Sequence, residues 1–374
     1  MNILIINSAK EWGGTEKWAL YTACGLAEKG HTVYFGCRGD LFDKRMFNEN
    51  VKVVKFPFSN NIDLITLWKL RSFMIKNRID AVMPSKQREY FLAGVAAKLL
   101  TKTKVAGMFG IDRPIHNLRN HIVFCRLFDI VFVVAKKIID VLAQTKEFDT
   151  NKCKVVYVGV QPVERSEEIR KKMRSSFGLS DDETCIMGIG RLSSQKGFDY
   201  AIKAISLLSK EMPHVKLVLA GGGDRQFYSE IAVKEKIQDK IIFTGFRDDI
   251  PDLIQAADIF WLTSRSEGIP NVMLEAMATH IPVVSFDIAG VAEIIIDGQN
   301  GILVPFENID ALSKETLKLI NDKRLSLSLG ENGYLTVTND FSMEKMCSDT
   351  EMHLKELIIK NSRRTHGKLQ GSKQ

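Results

Sequence analysis

The sequence predicts a two-domain α/β protein in which each domain is a doubly wound, Rossmann-like parallel sheet, the two facing each other across a cleft. Three observations predict it. Apolar runs of strand length alternate with amphipathic helical stretches along the whole chain. A charged segment with no strand pattern, ERSEEIRKKMRSSFG at 164–178, interrupts the series near its middle. The 374 residues are 45% hydrophobic and 26% charged with 26 Gly and only 9 Pro, the composition of an ordinary globular protein long enough for two domains.

In the first half the strands are expected at ILIIN (3–7), TVYFGC (32–37), KVVKF (52–56), DAVMPS (80–85), KVAGMF (104–109), IVFVVA (130–135) and KVVYVGV (154–160). Helical stretches fall between them at EKWALYTACGLAEKG, FLAGVAAKLL and KKIIDVLAQT. Near-continuous apolar strands separated by helices are the mark of a parallel sheet covered on both faces. The second half repeats the pattern with TCIMGIG (184–190), VKLVLAGGG (215–223), KIIFTGF (240–246), IFWLTS (259–264), PVVSFD (282–287) and GILVPF (301–306). Helices are expected over FDYAIKAISLLSK, IPDLIQAAD and NVMLEAMATH. The domains are therefore drawn at 1–163 and 164–340, with 341–360 as a C-terminal helix packing back on the first domain and 361–374 as a disordered basic tail.

The net charge of +7 conceals an asymmetry. Residues 1–160 carry +11, residues 161–360 carry −8 and the last fourteen carry +4. Two halves of opposite sign point to different partners. Nucleic acid is not expected as one of them, because the basic residues are scattered and no recognition motif accompanies them. Six cysteines, Cys24, Cys37, Cys125, Cys153, Cys185 and Cys347, form no C-x-x-C pair, so reduced core thiols are expected. No apolar run has the length of a membrane span, and MNILIINSAKEWGG reads as a first strand, so a cytoplasmic protein is expected.

Three segments carry chemistry. In GIGRLSSQKGFDYAI (188–202) a strand ends at Gly188 and Gly190 and places Arg191 and Lys196 in the loop before a helix. Ligands of open α/β sheets bind outside the carboxyl ends of the strands, and a planar fork beside a mobile point charge suits a diphosphate. In SRSEGIPNVMLEAMA (264–278) Gly268 and Pro270 break the chain before a helix whose free N–H groups favour an anion. Glu267 on the entering loop and Glu275 one turn inside the helix then flank that pocket as acceptors for sugar or ribose hydroxyls. In WGGTEKW (12–18) Gly13 and Gly14 follow the first strand and let the backbone come close to a ligand.

These residues resemble the retaining, nucleotide-sugar-dependent glycosyltransferases of the family-4 type (GT4-like), which have the GT-B fold. The resemblance runs through GGTE, LAEKGHTV (26–33), GRLSSQKGFDYAI, LAGGGDR (219–225), FTGFRDDI (243–250), EGIPNVMLEAMA and DGQNGILVP (297–305), and the spacing of Glu267 and Glu275 is specific in that context. It implies a hexosyltransferase-type enzyme that moves a hexose or N-acetylhexosamine from a nucleotide-diphosphate sugar, a UDP-sugar ahead of a GDP-sugar, to a saccharide or lipid-linked saccharide in polysaccharide, lipopolysaccharide or glycolipid synthesis. It also implies that Arg191 and Lys196 stabilise the departing diphosphate and that the Gly13–Gly14 loop approaches it. Glu275 is then matched to the ribose and Glu267 to the donor sugar. Phe246 and Arg247 edge the base pocket, and Gly190 with the backbone of Gly268, Ile269, Pro270, Asn271 and Val272 completes the donor cradle. No cofactor and no metal are expected, since two fixed cations and a helix terminus take a divalent ion's place.

Two positions depart from the family. Where relatives carry a His facing the donor sugar, this chain continues Gly110-Ile111-Asp112-Arg113, leaving Asp112 or the nearby His116 as the substitute. His280 stands where a Gly usually follows the EAMA helix. The alternatives to a transferase are a sugar-nucleotide epimerase of the same fold and a catalytically weak nucleotide-sugar-binding protein. In the basic half, Lys69, Arg71, Lys76 and Arg78 accompany Leu67, Trp68, Leu70, Phe73 and Met74. That mixture suits peripheral contact with an anionic membrane, and it equally fits a core-facing helix with a charged back, the commoner arrangement.

Overall fold

The computed structural model describes the chain except residues 44, 47, 61, 102, 111–114, 116–117 and 371–374. It divides into two compact units, unit 1 over 1–159 with 343–374 and unit 2 over 160–342. The crossing therefore falls at Gly159–Val160, a few residues before the expected 163.

Unit 1 holds a seven-stranded parallel sheet in the order β3-β2-β1-β4-β5-β6-β7. Its strands are β1 (Asn2–Asn7), β2 (Thr32–Cys37), β3 (Val51–Lys55), β4 (Ala81–Pro84), β5 (Lys104–Phe109), β6 (Ile130–Val133) and β7 (Cys153–Val155). Three helices shape its carboxyl edge and outer surface: α1 (Gly14–Glu28), α2 (Leu64–Lys76) and α3 (Gln87–Leu100). Ile3, Leu4, Ile5 and Ile6 of β1 are fully buried, as a central strand covered on both faces requires.

Unit 2 repeats the topology with six strands in the order β10-β9-β8-β11-β12-β13. They are β8 (Thr184–Ile189), β9 (Val215–Ala220), β10 (Ile241–Gly245), β11 (Ile259–Leu262), β12 (Val283–Phe286) and β13 (Ile302–Val304). The helix Glu167–Ser176 is fastened beneath β11: Arg170 Nη2 donates to Asp258 at 2.6 Å and the buried Arg174 also reaches that carboxylate. Inside the core, Trp261 on β11 donates its indole N–H to Thr316 at 2.8 Å, so a large polar-tipped ring is buried without an orphaned donor.

The C-terminal helix Met343–Gln370 returns to unit 1. Cys347 sits against Gly25 of α1 so closely that a Cβ there would strike its sulfur, and His31 and Glu351 are 2.7 Å apart. The helix runs to Gln370, where an unstructured tail from residue 361 was expected.

In each sheet the strand order reverses once, between β1 and β4 in unit 1 and between β8 and β11 in unit 2. At such a switch point the two loops leaving the strands diverge and open a crevice at the carboxyl edge. In unit 1 that crevice is braced by carboxylates. Glu89 of α3 is completely buried and accepts backbone N–H groups from Ser8 after β1 and from Ser85 and Lys86 after β4. Beside it, Asn7 donates to Ser85 Oγ at 2.9 Å, and Lys86 Nζ lies 2.5 Å from the buried Glu16 carboxylate. Burial pushes the Glu89 pKa up to about 7, although its hydrogen bonds pull the other way.

A folded-state pKa above the unfolded one makes the charged carboxylate a burden in the native state. Stability from this group is fully present below about pH 4.5 and declines as pH rises through 7, by about 3 kcal/mol for a shift of this size. Urea unfolding of unit 1 at a series of pH values should show that decline, and Glu89→Gln should flatten it; an unchanged slope in the variant would place the titration elsewhere.

Candidate functional site

The second switch point brings together the residues singled out in the sequence of unit 2. Beyond β8 the chain passes through Gly190, the exposed Arg191 and a single tight turn at Ser194–Lys196 before the helix Phe198–Glu211. Beyond β11 it passes through 263–270 into the helix Asn271–Met277, which begins immediately after Pro270. Asn271, Val272 and Glu275 are half-buried there, while Ile269 and Pro270 are buried beneath them.

These two loops are laced together by side chain and backbone. Lys196 Nζ lies 2.6 Å from Glu267 Oε1, and Ser264 Oγ donates to the same oxygen at 2.7 Å. Arg265 N–H donates to Gln195 O at 2.8 Å, Gln195 returns a bond to Ser266 O at 3.0 Å, and Thr263 Oγ1 reaches Lys196 O. Arg265 grips Asp199 with both guanidinium nitrogens at 2.9 and 2.8 Å and stacks over Tyr200 at 4.3 Å. The bonds to Asp199 raise the pKa of Arg265 above its ordinary value, so this brace stays charged throughout the working range.

Gly197 makes the lacing possible. It is left-handed, with φ of 63°, and a Cβ would run into the Thr263 carbonyl oxygen. A third loop closes the floor: Gly221, at φ of 149°, lies against the Gly190 carbonyl with no room for a side chain, and Leu192 exchanges backbone bonds with Gly222 and Asp224. Opposite, Gly290 packs against the Gly268 carbonyl. Gly190 and Gly268 are thus held by backbone on either side of the switch point. Phe246, just past the carboxyl end of β10, is 69% exposed, with its Cβ beside Gly222, so its ring is open to a flat ligand. Arg247 beside it is engaged with Asp249, whose carboxylate raises the pKa of the guanidinium. That makes it a fixed edge rather than a mobile cation.

The arrangement offers one exposed cation at Arg191, one partnered cation at Lys196, two half-buried carboxylates and an open aromatic face. A diphosphate can take hydrogen bonds from both cations, and hydroxyl-bearing rings can donate to the carboxylates. Ser264, Arg265 and the Gly221–Gly223 backbone also belong to this site, beyond the residues the sequence singles out. Ser264 and Arg265 lie inside a motif read for its acids, and the glycines gave no sign of which loop they would meet. Among the described residues no cluster of His, Cys, Asp and Glu is spaced to hold a metal ion.

In unit 1, Gly13 caps α1 in an extended conformation, and its missing side chain leaves room for the Glu16 carboxylate 3.1 Å from where a Cβ would be. Gly14 opens the helix and is exposed. Asp112 and His116 lie outside the described residues. His280 is not on the crevice loops: it stacks on Tyr334 at 3.9 Å and lies 2.9 Å from Glu331.

Comparison with known proteins gives the same division. Residues 169–336 match the family described as Glycosyl transferases group 1, and residues 12–164 match Glycosyltransferase Family 4. An uncharacterized glycosyltransferase of Methanocaldococcus jannaschii is 31% identical over 59% of this chain and 58% of its own length, so the chain spans under two thirds of that relative. An uncharacterized glycosyltransferase of Haemophilus influenzae is 25% identical over 93% of this chain and 97% of its own. Anabaena HepE, crystallised with UDP-glucose, superposes with a TM-score of 0.81 at 19% identity, covering 95% of this chain and 100% of that one. The paired sheets are those of the GT-B fold.

Gly197→Ala should destabilise unit 2 by more than the about 1–3 kcal/mol of a strained left-handed residue alone, since its Cβ would also clash with the Thr263 carbonyl oxygen. Gly178→Ala, also left-handed at φ of 68° but with open space around it, should cost the strain alone. Denaturant melts of the two variants measure the difference, and equal losses would mean that the loop contact at Gly197 carries no weight.

Proposed function

The chain belongs to the glycosyltransferases of the family-4 type, and we propose that it transfers a hexose or N-acetylhexosamine from a UDP-sugar to a saccharide or lipid-linked saccharide acceptor. The observation that carries this reading is the pairing of Lys196 with Glu267 between two loops, one carrying Arg191 and the other leading into the helix of Glu275. The UDP-glucose bound to the structurally similar Anabaena protein supports a uridine donor.

In this reading the diphosphate lies between the loops after β8 and β11. Arg191 and Lys196 take up the negative charge that develops on it as the bond to the sugar breaks, and a pair of preorganised cations is the largest contribution expected at such a step. Neutralisation of the leaving group is assigned to these side chains rather than to a resident metal. Glu275 accepts from the ribose hydroxyls and Glu267 from the donor sugar, while Phe246 stacks on the base. The acceptor attacks from the face the diphosphate leaves, so the anomeric configuration is retained.

A thermal-shift panel of nucleoside diphosphates and nucleotide sugars should single out UDP and UDP-sugars. Arg191→Ala and Lys196→Ala should each lower UDP-sugar turnover by roughly 10²–10³-fold while circular dichroism stays unchanged. Wild-type turnover in either variant would refute the assignment. UDP-sugar binding by the native protein without transfer or hydrolysis would favour a binding protein instead.

A further inference from the structure

We propose that unit 1 docks on an anionic lipid bilayer through the outward face of α2. The inner face of this helix is already used: Thr66, Leu70 and Met74 are buried, and Phe73 packs edge-on against Tyr34 at 5.1 Å and Phe56 at 5.8 Å. A surface helix so seated is expected to be polar on its other side. Instead Leu64 is 71% exposed, Ile65 and Trp68 are each 65% exposed, Ile62 just before the helix is 69% exposed, and Ile75 continues the row two turns beyond Trp68. Leu70 and Met74, which the sequence grouped with the interfacial residues, belong to the core.

The charges around that apolar row have one sign. Lys69, Arg71 and Lys76 are exposed on α2, with Arg78 exposed just past its end. Asp63 is the only acidic residue between positions 56 and 79, and it is turned inward. It caps the helix, accepting from Thr66 N at 2.9 Å, Thr66 Oγ1 at 2.7 Å and Ser59 N at 2.9 Å. The outward surface is therefore apolar and cationic without a carboxylate, the two-part signal that reversible binding to an anionic interface needs. A tryptophan beside the apolar row suits the headgroup boundary, where one end of the ring is wet. A second copy of the chain fits poorly, because a two-fold contact through this face sets the same lysines and arginine against each other.

The position of the face gives docking a purpose, and that purpose alone rests on the proposed transfer to a lipid-linked acceptor. In a parallel sheet the chain leaves β3 at Lys55 on the carboxyl edge and enters α2 at Leu64, so the first turns of α2 lie at the edge where β1 and β4 open their crevice. Arg88, in the first turn of α3, donates to Phe58 O at 3.3 Å and ties the entrance of α2 to that crevice. An acceptor embedded in the bilayer is thereby presented to the carboxyl edge of unit 1.

Flotation of the full chain with phosphatidylglycerol-containing vesicles and with pure phosphatidylcholine vesicles tests the proposal, with the emission difference between the native protein and Trp68→Phe as a second readout, since Trp18 and Trp261 are buried but Trp12 is half-buried. The anionic vesicles should carry the protein to the top of the gradient and shift its emission to the blue. The pairs Ile65→Ser with Trp68→Ala, and Lys69→Glu with Arg71→Glu, should each weaken binding by about tenfold or more while UDP-sugar hydrolysis stays at the native level. Failure to float, equal binding to neutral vesicles, or native binding by both double variants overturns the docking. So does a dimer that Trp68→Ala dissociates without any vesicle binding. None of these outcomes depends on turnover, so hydrolysis without flotation removes the membrane and leaves the transferase.

Discussion

The ion pair between Lys196 and Glu267 is the interaction on which the crevice of unit 2 depends. Both side chains are largely withdrawn from water, and a charge in that position must be matched or it destabilises the fold. Matching them fixes the distance between the loops after β8 and β11, and the remaining contacts are set by that distance. Ser264 completes the coordination of Glu267, Arg265 locks the far side of its loop to Asp199, and Gly197 lets the two backbones touch. In the proposed reading, an incoming diphosphate would meet a cation already positioned by a carboxylate. It would share Lys196 with Glu267 and add Arg191, without first having to order a flexible lysine.

Unit 1 has the same strand order and the opposite charge logic. Its switch point is filled by its own carboxylates, Glu89 holding three backbone N–H groups and Glu16 holding Lys86, so the loops there are fastened from within. The overall charges of the halves run the other way, basic for unit 1 and acidic for unit 2. Net charge thus reports the outer surfaces, such as the face of α2, while each crevice is set by a few local residues.

Among the described residues the thirteen strands lie where short apolar runs predict them, because a buried parallel strand has no alternation to obscure it. Glu267 and Lys196 were also legible, since a motif fixes which loop each occupies. Their direct pairing was not, because it depends on the width of the crevice, a property of the β8–β11 register. The helices Arg225–Lys234, Ile309–Asn321 and Lys323–Asp340 are less legible, because each buries few large apolar side chains: Tyr228 in the first, Leu312 and Leu319 in the second, Leu329 and Val337 in the third. The exposure of Leu64, Ile65 and Trp68 was hidden for a related reason. Composition shows that a helix is apolar and basic, and only packing shows that Leu70 and Met74 have already satisfied the core.

Calorimetric titration with UDP of the native protein, Lys196→Met and Glu267→Gln tests the central claim most directly. A shared cation predicts opposite outcomes: Lys196→Met loses UDP affinity by about tenfold or more, as expected for a charged hydrogen bond, whereas Glu267→Gln, whose amide oxygen still accepts from Lys196 and holds it in place, binds UDP at least as tightly as the native protein because the competing charge is gone. Equal affinity for UDP in all three proteins would show that the diphosphate does not lie against this pair, and the crevice would have to be assigned to another ligand.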